Sequence, residues 1–260
     1  MQIRILVGVA CLLTAGCAVW SGPPFQTDDP EPVELHHWEV YLGSVMTHDP
    51  TGTSGTAPHL EVNNGIAPNT QLHLIVPYAV QQPPSGRALH GLGDAELGLK
   101  YRFQQEGKSC PMLGVFPLVE IPTGAAQRGL GTGHVQVILP LWAQKSWGAW
   151  TDFGGGGYGI NPGAPNRNFR FVGNTIQREL NAHVTLGGEL FYSTATTQDE
   201  HDRLMLDIGG QYNLNEEHHL LFSVGHSIHG EQSSLCYFAY LLTFGPSSSA
   251  EATDLIWRKP

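Results

Sequence analysis

Asp94-Ala95-Glu96-Leu97-Gly98-Leu99-Lys100-Tyr101-Arg102-Phe103-Gln104 decides how this chain is read. Its odd positions carry Ala95, Leu97, Leu99, Tyr101 and Phe103, and its even positions Asp94, Glu96, Gly98, Lys100, Arg102 and Gln104. Side chains of an extended strand point alternately to opposite faces, so the segment predicts one wholly apolar face and one strongly charged face. Globular strands average about five or six residues, whereas a tilted strand needs roughly nine to eleven to cross a bilayer. The length of this segment fits the second case.

The same period recurs outward from it in both directions. Candidate strands run over residues 38–47, 57–66, 70–80, 93–105, 111–121, 133–144, 150–160, 169–179, 183–193, 203–213, 219–228 and 235–244. One face collects Leu113, Val115, Val119 and Ile121 on one strand, Val135, Val137, Leu139, Leu141 and Ala143 on the next, and Leu204, Leu206, Ile208 and Tyr212 later. Short connections (67–69, 106–110, 145–149, 180–182, 214–218) alternate with longer ones (48–56, 81–92, 122–132, 161–168, 194–202, 229–234). Outer-membrane barrels show that alternation, with short periplasmic turns and longer outer loops. Aromatic residues gather near strand ends, Trp38, Tyr101, Phe103, Trp150, Tyr212 and Phe244 on one side and Tyr78, Tyr158, Phe169 and Tyr192 on the other, as in interfacial belts. The expected fold is all-β: a transmembrane antiparallel up-and-down barrel of about twelve strands spanning 38–244, with both termini periplasmic and a polar tail over 245–260.

Composition agrees with a chain that alternates rather than segregates its apolar residues. Charged residues make up 14%, against roughly a quarter in ordinary soluble domains, and Gly (32) and Pro (18) are frequent. The net charge of −10 supplies no basic stripe, which argues against a nucleic-acid partner.

Arg4, an apolar run from Ile5 to Leu13 and small residues up to Ala18 read as a secretory signal over 1–18, too short to span a membrane as a helix. Leu13-Thr14-Ala15-Gly16-Cys17 is also similar to a lipobox, so lipidation at Cys17 and ordinary cleavage after Ala18 both stay open. Residues 19–37 are expected as a periplasmic lead-in, with blocking of the lumen by 22–33 as an alternative. Cys110 and Cys236 are expected at opposite membrane faces and unpaired.

Lumen candidates from the polar faces are Glu39, Glu61, Asp94, Glu96, Lys100, Arg102, Glu120, Arg170, Arg178, Glu189 and Asp207. Two uses are open for them: a mixed-charge pore lining that sets selectivity, or a salt-bridged network filling a barrel midway between filled eight-stranded and open sixteen-stranded ones. Thirteen histidines show no metal-ligand spacing, and adjacent His218 and His219 would point to opposite faces, so no metal or other cofactor is expected. Gly91-Leu92-Gly93 and Gly129-Leu130-Gly131-Thr132-Gly133 lie in no strand-to-helix context and read as loops rather than nucleotide sites.

The run Gly22-Pro23-Pro24-Phe25-Gln26-Thr27-Asp28-Asp29-Pro30-Glu31-Pro32 carries a family resemblance. With it stand Phe116-Pro117-Leu118-Val119-Glu120-Ile121-Pro122-Thr123-Gly124, Leu139-Pro140-Leu141-Trp142, Lys145-Ser146-Trp147-Gly148, Gly154-Gly155-Gly156-Gly157-Tyr158 and His218-His219-Leu220-Leu221-Phe222-Ser223-Val224-Gly225. They resemble the outer-membrane β-barrel family named after the meta-pathway of phenol degradation, which includes the functional-amyloid secretion channel. The resemblance covers nearly all of 22–244 and implies a "transporter" barrel, without naming a solute. The long helical N-terminal region of the amyloid channel is lacking, so that role does not carry over. The segment ending Phe238-Ala239-Tyr240-Leu241-Leu242-Thr243-Phe244 resembles the aromatic-ended signal read by the barrel-assembly machinery, although a tail follows it.

The function expected is therefore an outer-membrane channel passing small solutes, apolar or aromatic ones among them, by passive diffusion, with outer-membrane lipids as surroundings and a homo-oligomer open. Two alternatives stand beside it. One is a closed barrel with a structural or membrane-enzyme role, for which His226 and Ser227 are the nearest thing to a catalytic pair. The other is a soluble periplasmic β-sandwich. A catalytic role is not expected.

Overall fold

A computed structural model of the chain describes residues 22–246. Strand β1 (Trp38–Asp49) is followed by β2 (Gly52–Ala67) and β3 (Thr70–Gln82). Strand β4 comes in two pieces (Leu89–Leu92 and Ala95–Gln104), as does β5 (Met112–Val115 and Leu118–Ile121). A single 3-10 turn (Ala126–Arg128) precedes β6 (Gln136–Trp147), β7 (Trp150–Ile160) and β8 (Phe169–Asn181). The sheet ends with β9 (Val184–Ser193), β10 (Arg203–Asn213), β11 (His218–Gly230) and β12 (Ser234–Phe244). Every strand pairs antiparallel with its neighbours in sequence. The first and last strands also pair, from Trp38 opposite Phe244 to His48 opposite Ser234, which closes twelve strands into an up-and-down barrel. Closure leaves no backbone edge unbonded, the condition for putting a sheet in hydrocarbon.

The break in β5 has a local cause. Pro117 has no N–H to give the ladder, and its carbonyl accepts from Leu99 N at 3.1 Å while the strand kinks around it. Asn69 (φ 60) and Gly148 (φ 61) supply the left-handed positions that the two-residue hairpin turns after β2 and β6 require. At the turn after β4, Lys145 donates to Glu106 at 2.7 Å, and this hydrogen bond holds the Glu106 carboxyl below its ordinary range.

Alternation on the deciding segment is as read. Leu97, Leu99, Tyr101 and Phe103 are 40–50% exposed on the outside, while Glu96 and Lys100 between them are under a tenth exposed. The outward rows expected on β5, β6 and β10 face out as well. Trp38 stacks on Phe244 across the closing seam, with ring centroids 6.4 Å apart.

Four expectations are corrected. Residues 48–56 do not form a long loop: β1 and β2 run on as a hairpin to a turn at Pro50-Thr51, because small residues such as Thr53, Ser54 and Gly55 keep pairing where the apolar pattern fades. Phe169 is no belt residue; it faces inward and is 6% exposed. The third is the periplasmic placement of the lead-in, whose part 22–33 runs inside the barrel as its blocking alternative has it, and the fourth concerns two arginines; both are taken up below.

Candidate functional site

Residues 22–33 form a strap across the lumen. Leu35 bridges Gly65 and His36 N donates to Gly65 O at 2.7 Å, which fixes the strap's base beside the turn between β2 and β3. Val33 N then donates to Gln71 Oε1 at 2.9 Å, and Lys100 reaches up from β4 to Asp28 at 3.0 Å and Asp29 at 3.8 Å. On the opposite wall Glu189 of β9 accepts from the backbone N–H groups of Gln26 (3.1 Å) and Thr27 (2.5 Å). Gln26 Nε2 donates to Asp207 of β10 at 3.1 Å, and Ser223 of β11 donates to the Pro24 carbonyl at 2.6 Å. The strap is thus held by strands on both sides of the barrel. Phe25, Gln26, Thr27 and Asp28 are each at most 2% exposed.

Two glycines make this fit. A Cβ at Gly173 would overlap Thr27 Oγ1, and one at Gly225 would overlap the Asp207 carboxylate. Inside a barrel an ion must be paired or hydrogen-bonded, and breaking one buried pair costs about 3–5 kcal/mol. Lys100 and Asp28 are such a pair.

Beside the strap, His73 donates or accepts at Glu96 (3.0 Å) and Asn63 (2.6 Å), and Glu61 accepts from Asn63 at 2.9 Å. Glu39 accepts from Tyr41 at 2.8 Å. Arg102 is lower on β4, bonded to Asn69 at 2.8 Å and to Glu31 at 3.5 Å. Glu120 is inward and buried. Asp94 faces in but serves a loop: it accepts from Gly124 N (2.8 Å), Thr132 N (2.6 Å) and Thr132 Oγ1 (2.8 Å), tying the segment after β5 to the barrel mouth.

Arg170 and Arg178 depart from the expectation. On β8 the buried, inward residues are Phe169, Phe171, Gly173 and Thr175, so both arginines point out. Arg170 lies opposite Tyr158 and Arg178 opposite Trp150, over whose ring its guanidinium sits at 5.2 Å. They occupy the two ends of the outward row, where an arginine on the outer surface reaches headgroups rather than acyl chains. The period on this strand is two, but its phase is opposite to the one the charges suggested.

Sequence reasoning did not name Asn63, Gln71, His73 or Arg203, and it reached Gln26, Thr27 and Asp28 only as part of the blocking alternative over 22–33, without roles of their own. All are polar residues at inward positions, and the strap residues could be found only through their distant partners. Above the strap, on the side of the longer loops, a cavity of about 360 Å³ has Gln26 in its floor and Phe169, Phe171 and Phe191 along one wall. Arg203, Asp49, Glu200, Glu231 and Ser233 stand around it.

His226 and Ser227 are not a catalytic pair. Ser227 faces in, 2% exposed, and shares a hydrogen bond with Ser233 at 2.9 Å, whereas His226 faces out toward Ser234. Cys110 and Cys236 are both free and exposed, one in the turn after β4 and the other on the outside of β12. No group of three or more metal-ligating side chains occurs among the described residues. Cys17 and the terminal tail from 247 onward lie outside the described residues.

No family model matches the sequence, and no curated protein matches it. Solved structures do match. An outer membrane channel from Pseudomonas putida F1 is similar over 83% of this chain and 98% of its own, with a TM-score of 0.66 at 16% identity. The KdgM porin in complex with disordered oligogalacturonate covers 79% of this chain and 99% of its own, with a TM-score of 0.55 at 11% identity. The translocator domain of the autotransporter NalP from Neisseria meningitidis covers 80% and 88%, with a TM-score of 0.53 at 10% identity. At these identities the likeness establishes a fold, that of outer-membrane β-barrels.

Proposed function

We propose that this chain is an outer-membrane channel for small solutes, whose lumen is narrowed from within by its own N-terminal strap. One observation carries the reading: a closed twelve-stranded wall, apolar outside and polar inside, is crossed by a segment held to both walls through charged and hydrogen-bonding groups. A wall of that kind needs a bilayer around it, and a polar interior needs water or protein within it. Here protein occupies the middle of the lumen and a vestibule remains above.

The secretory signal over 1–18 and periplasmic placement of both barrel ends belong to the same reading, as does delivery by the barrel-assembly machinery. What supports the orientation is that the strap base and the Trp38–Phe244 end of the closing seam, where the barrel's first and last strands meet the rest of the chain, lie on the side of the short turns. The similar proteins named above are a channel, a porin and a translocator domain, which supports transport over catalysis.

Two measurements test it. The folded chain should run faster on SDS gels unheated than boiled, since membrane barrels resist the detergent until heated. Planar bilayers carrying it should show discrete current steps. Folded, heat-modifiable protein that never conducts, with or without the strap, would overturn the channel reading while leaving the barrel intact.

A further inference from the structure

The vestibule above the strap differs in chemistry from the rest of the lumen. Phe171 lies 5.9 Å from Phe191 with ring planes 19° apart, and Phe169 lies 6.2 Å from Phe171. Their placement depends on β7: a Cβ at Gly157 would come within 2.5 Å of the Phe171 ring, and one at Gly159 would overlap the Phe169 ring. The rings therefore lie along the wall, across neighbouring glycines, and make a continuous aromatic side to the cavity.

The same cavity is lined by charges of one sign in excess. Asp49, Asp199, Glu200 and Glu231 line the cavity, with Arg203 as the single fixed cation among its lining residues. Three of the carboxylates bond only neutral donors among the contacts resolved: Asp49 takes Thr51 N at 2.7 Å, Glu200 takes Thr196 Oγ1 at 2.7 Å, and Glu231 takes His201 N at 3.3 Å. Arg203 donates to Ser233 at 3.2 Å and is within ion-pair distance of none of them. A second, independent observation is Gln136, 5% exposed and lining the cavity, whose Oε1 finds no hydrogen-bond donor among the described residues. Buried acceptors are nearly always satisfied, so an orphan beside a cavity asks for a donor from whatever enters.

We infer that this vestibule is a binding site for small organic ammonium ions, with the apolar body against Phe169, Phe171 and Phe191 and the charged N–H group toward Glu200, Glu231 and Gln136. The cavity of about 360 Å³ is of the size that holds a small ligand. A cation near ring faces gains from their quadrupole, and a lining with excess carboxylates raises the local concentration of cations while repelling anions. The inference deepens the channel reading by naming the class of solute that lodges above the strap, but its test does not depend on conduction.

The test uses three probes of similar shape and different charge: benzylamine, benzyl alcohol and benzoate, titrated calorimetrically into the folded full-length protein in detergent. Benzylamine should bind more tightly than benzyl alcohol, and about tenfold or more tighter than benzoate, a gap that shrinks with added salt. The double variant Glu200→Gln, Glu231→Gln, checked as folded by heat-modifiable mobility, should lose most of the preference for benzylamine over benzyl alcohol. Phe171→Leu should weaken both of those probes alike. Equal binding of benzylamine and benzoate, or a preference untouched by the carboxamide variant, would overturn the inference. Conduction without benzylamine binding would remove this inference alone, whereas binding without conduction would remove the channel reading alone.

Discussion

The lower and upper halves of the lumen are filled by opposite means. Below and at mid-height, carboxylates, a lysine and a serine meet a strap of the same chain, and Glu189, Asp207, Ser223 and Lys100 each grip it directly. Above, three glycine-backed phenyl rings and a set of carboxylates line an open cavity. A buried polar surface must be satisfied completely or it destabilises the fold, and satisfying it recruits chain. An aromatic wall makes no such demand and can stay open. The difference teaches where this barrel closes and where it leaves room for a solute.

The sharpest way to break that contrast is to remove the strap. Deleting residues 22–33 behind an intact signal should raise single-channel conductance several-fold in planar bilayers, because no other described segment crosses the lumen at that height. An unchanged conductance would mean the polar half is closed by something else.

Next in size is Lys100→Met, which strands Asp28 in a buried site. It should lower the free energy of unfolding by about 3–5 kcal/mol, read from urea denaturation of the protein in lipid. Adding Asp28→Leu should recover most of that loss, since replacing both members of a buried pair by apolar groups is often near neutral. A double variant no better than the single would place the cost elsewhere than in the pair.

A smaller and more local contrast comes from two glycines. Gly114→Ala pushes a methyl at Pro30 in the strap, and Gly159→Ala pushes one at Phe169 in the vestibule. Each should cost about 1–3 kcal/mol by overpacking. The first should change conductance and leave benzylamine binding nearly intact; the second should do the reverse. If both variants move both readouts together, the halves are not independent.

The smallest effect lies on the outer wall. Asn174 on β8 points outward midway between Arg170 and Arg178 and donates to Asp152 at 2.6 Å, an interruption of the apolar band beside outward Gly154 and Gly156. Asn174→Leu should raise stability in bilayers by about 1 kcal/mol and leave conductance unchanged. A clear loss of stability would show that the polar spot is covered by protein rather than by acyl chains.

Much of the wall was legible because period two is a strong signal wherever both faces are fully expressed. Residues 94–104 and the rows on β5, β6 and β10 are of this kind. The phase failed on β8, where Arg170 and Arg178 looked like lumen charges although the rings on either side of Arg170, Phe169 and Phe171, are the inward residues. A charge at a strand end can sit outside by reaching the headgroups, so charge alone does not set the face there. Hairpin length failed at 48–56, since Thr, Ser and Gly pair as well as valine does but leave no apolar trace. The strap was the hardest to see. Gly22 to Val33 has no periodicity, and its structure comes from partners more than sixty residues away, such as Lys100, Glu189 and Asp207.

The account's central claim is a wall with lipid on one side and an aqueous, strapped lumen on the other. It is tested most directly by spin labels on single cysteines in a background lacking Cys110 and Cys236, with the protein in bilayers. Labels at Leu97, Leu99 and Leu206 should collide with oxygen dissolved in the acyl chains and be shielded from a water-soluble nickel reagent. Labels at Thr47 and Ser233, in the vestibule, should show the opposite preference. Leucine positions open to the nickel reagent in folded protein would contradict the claim.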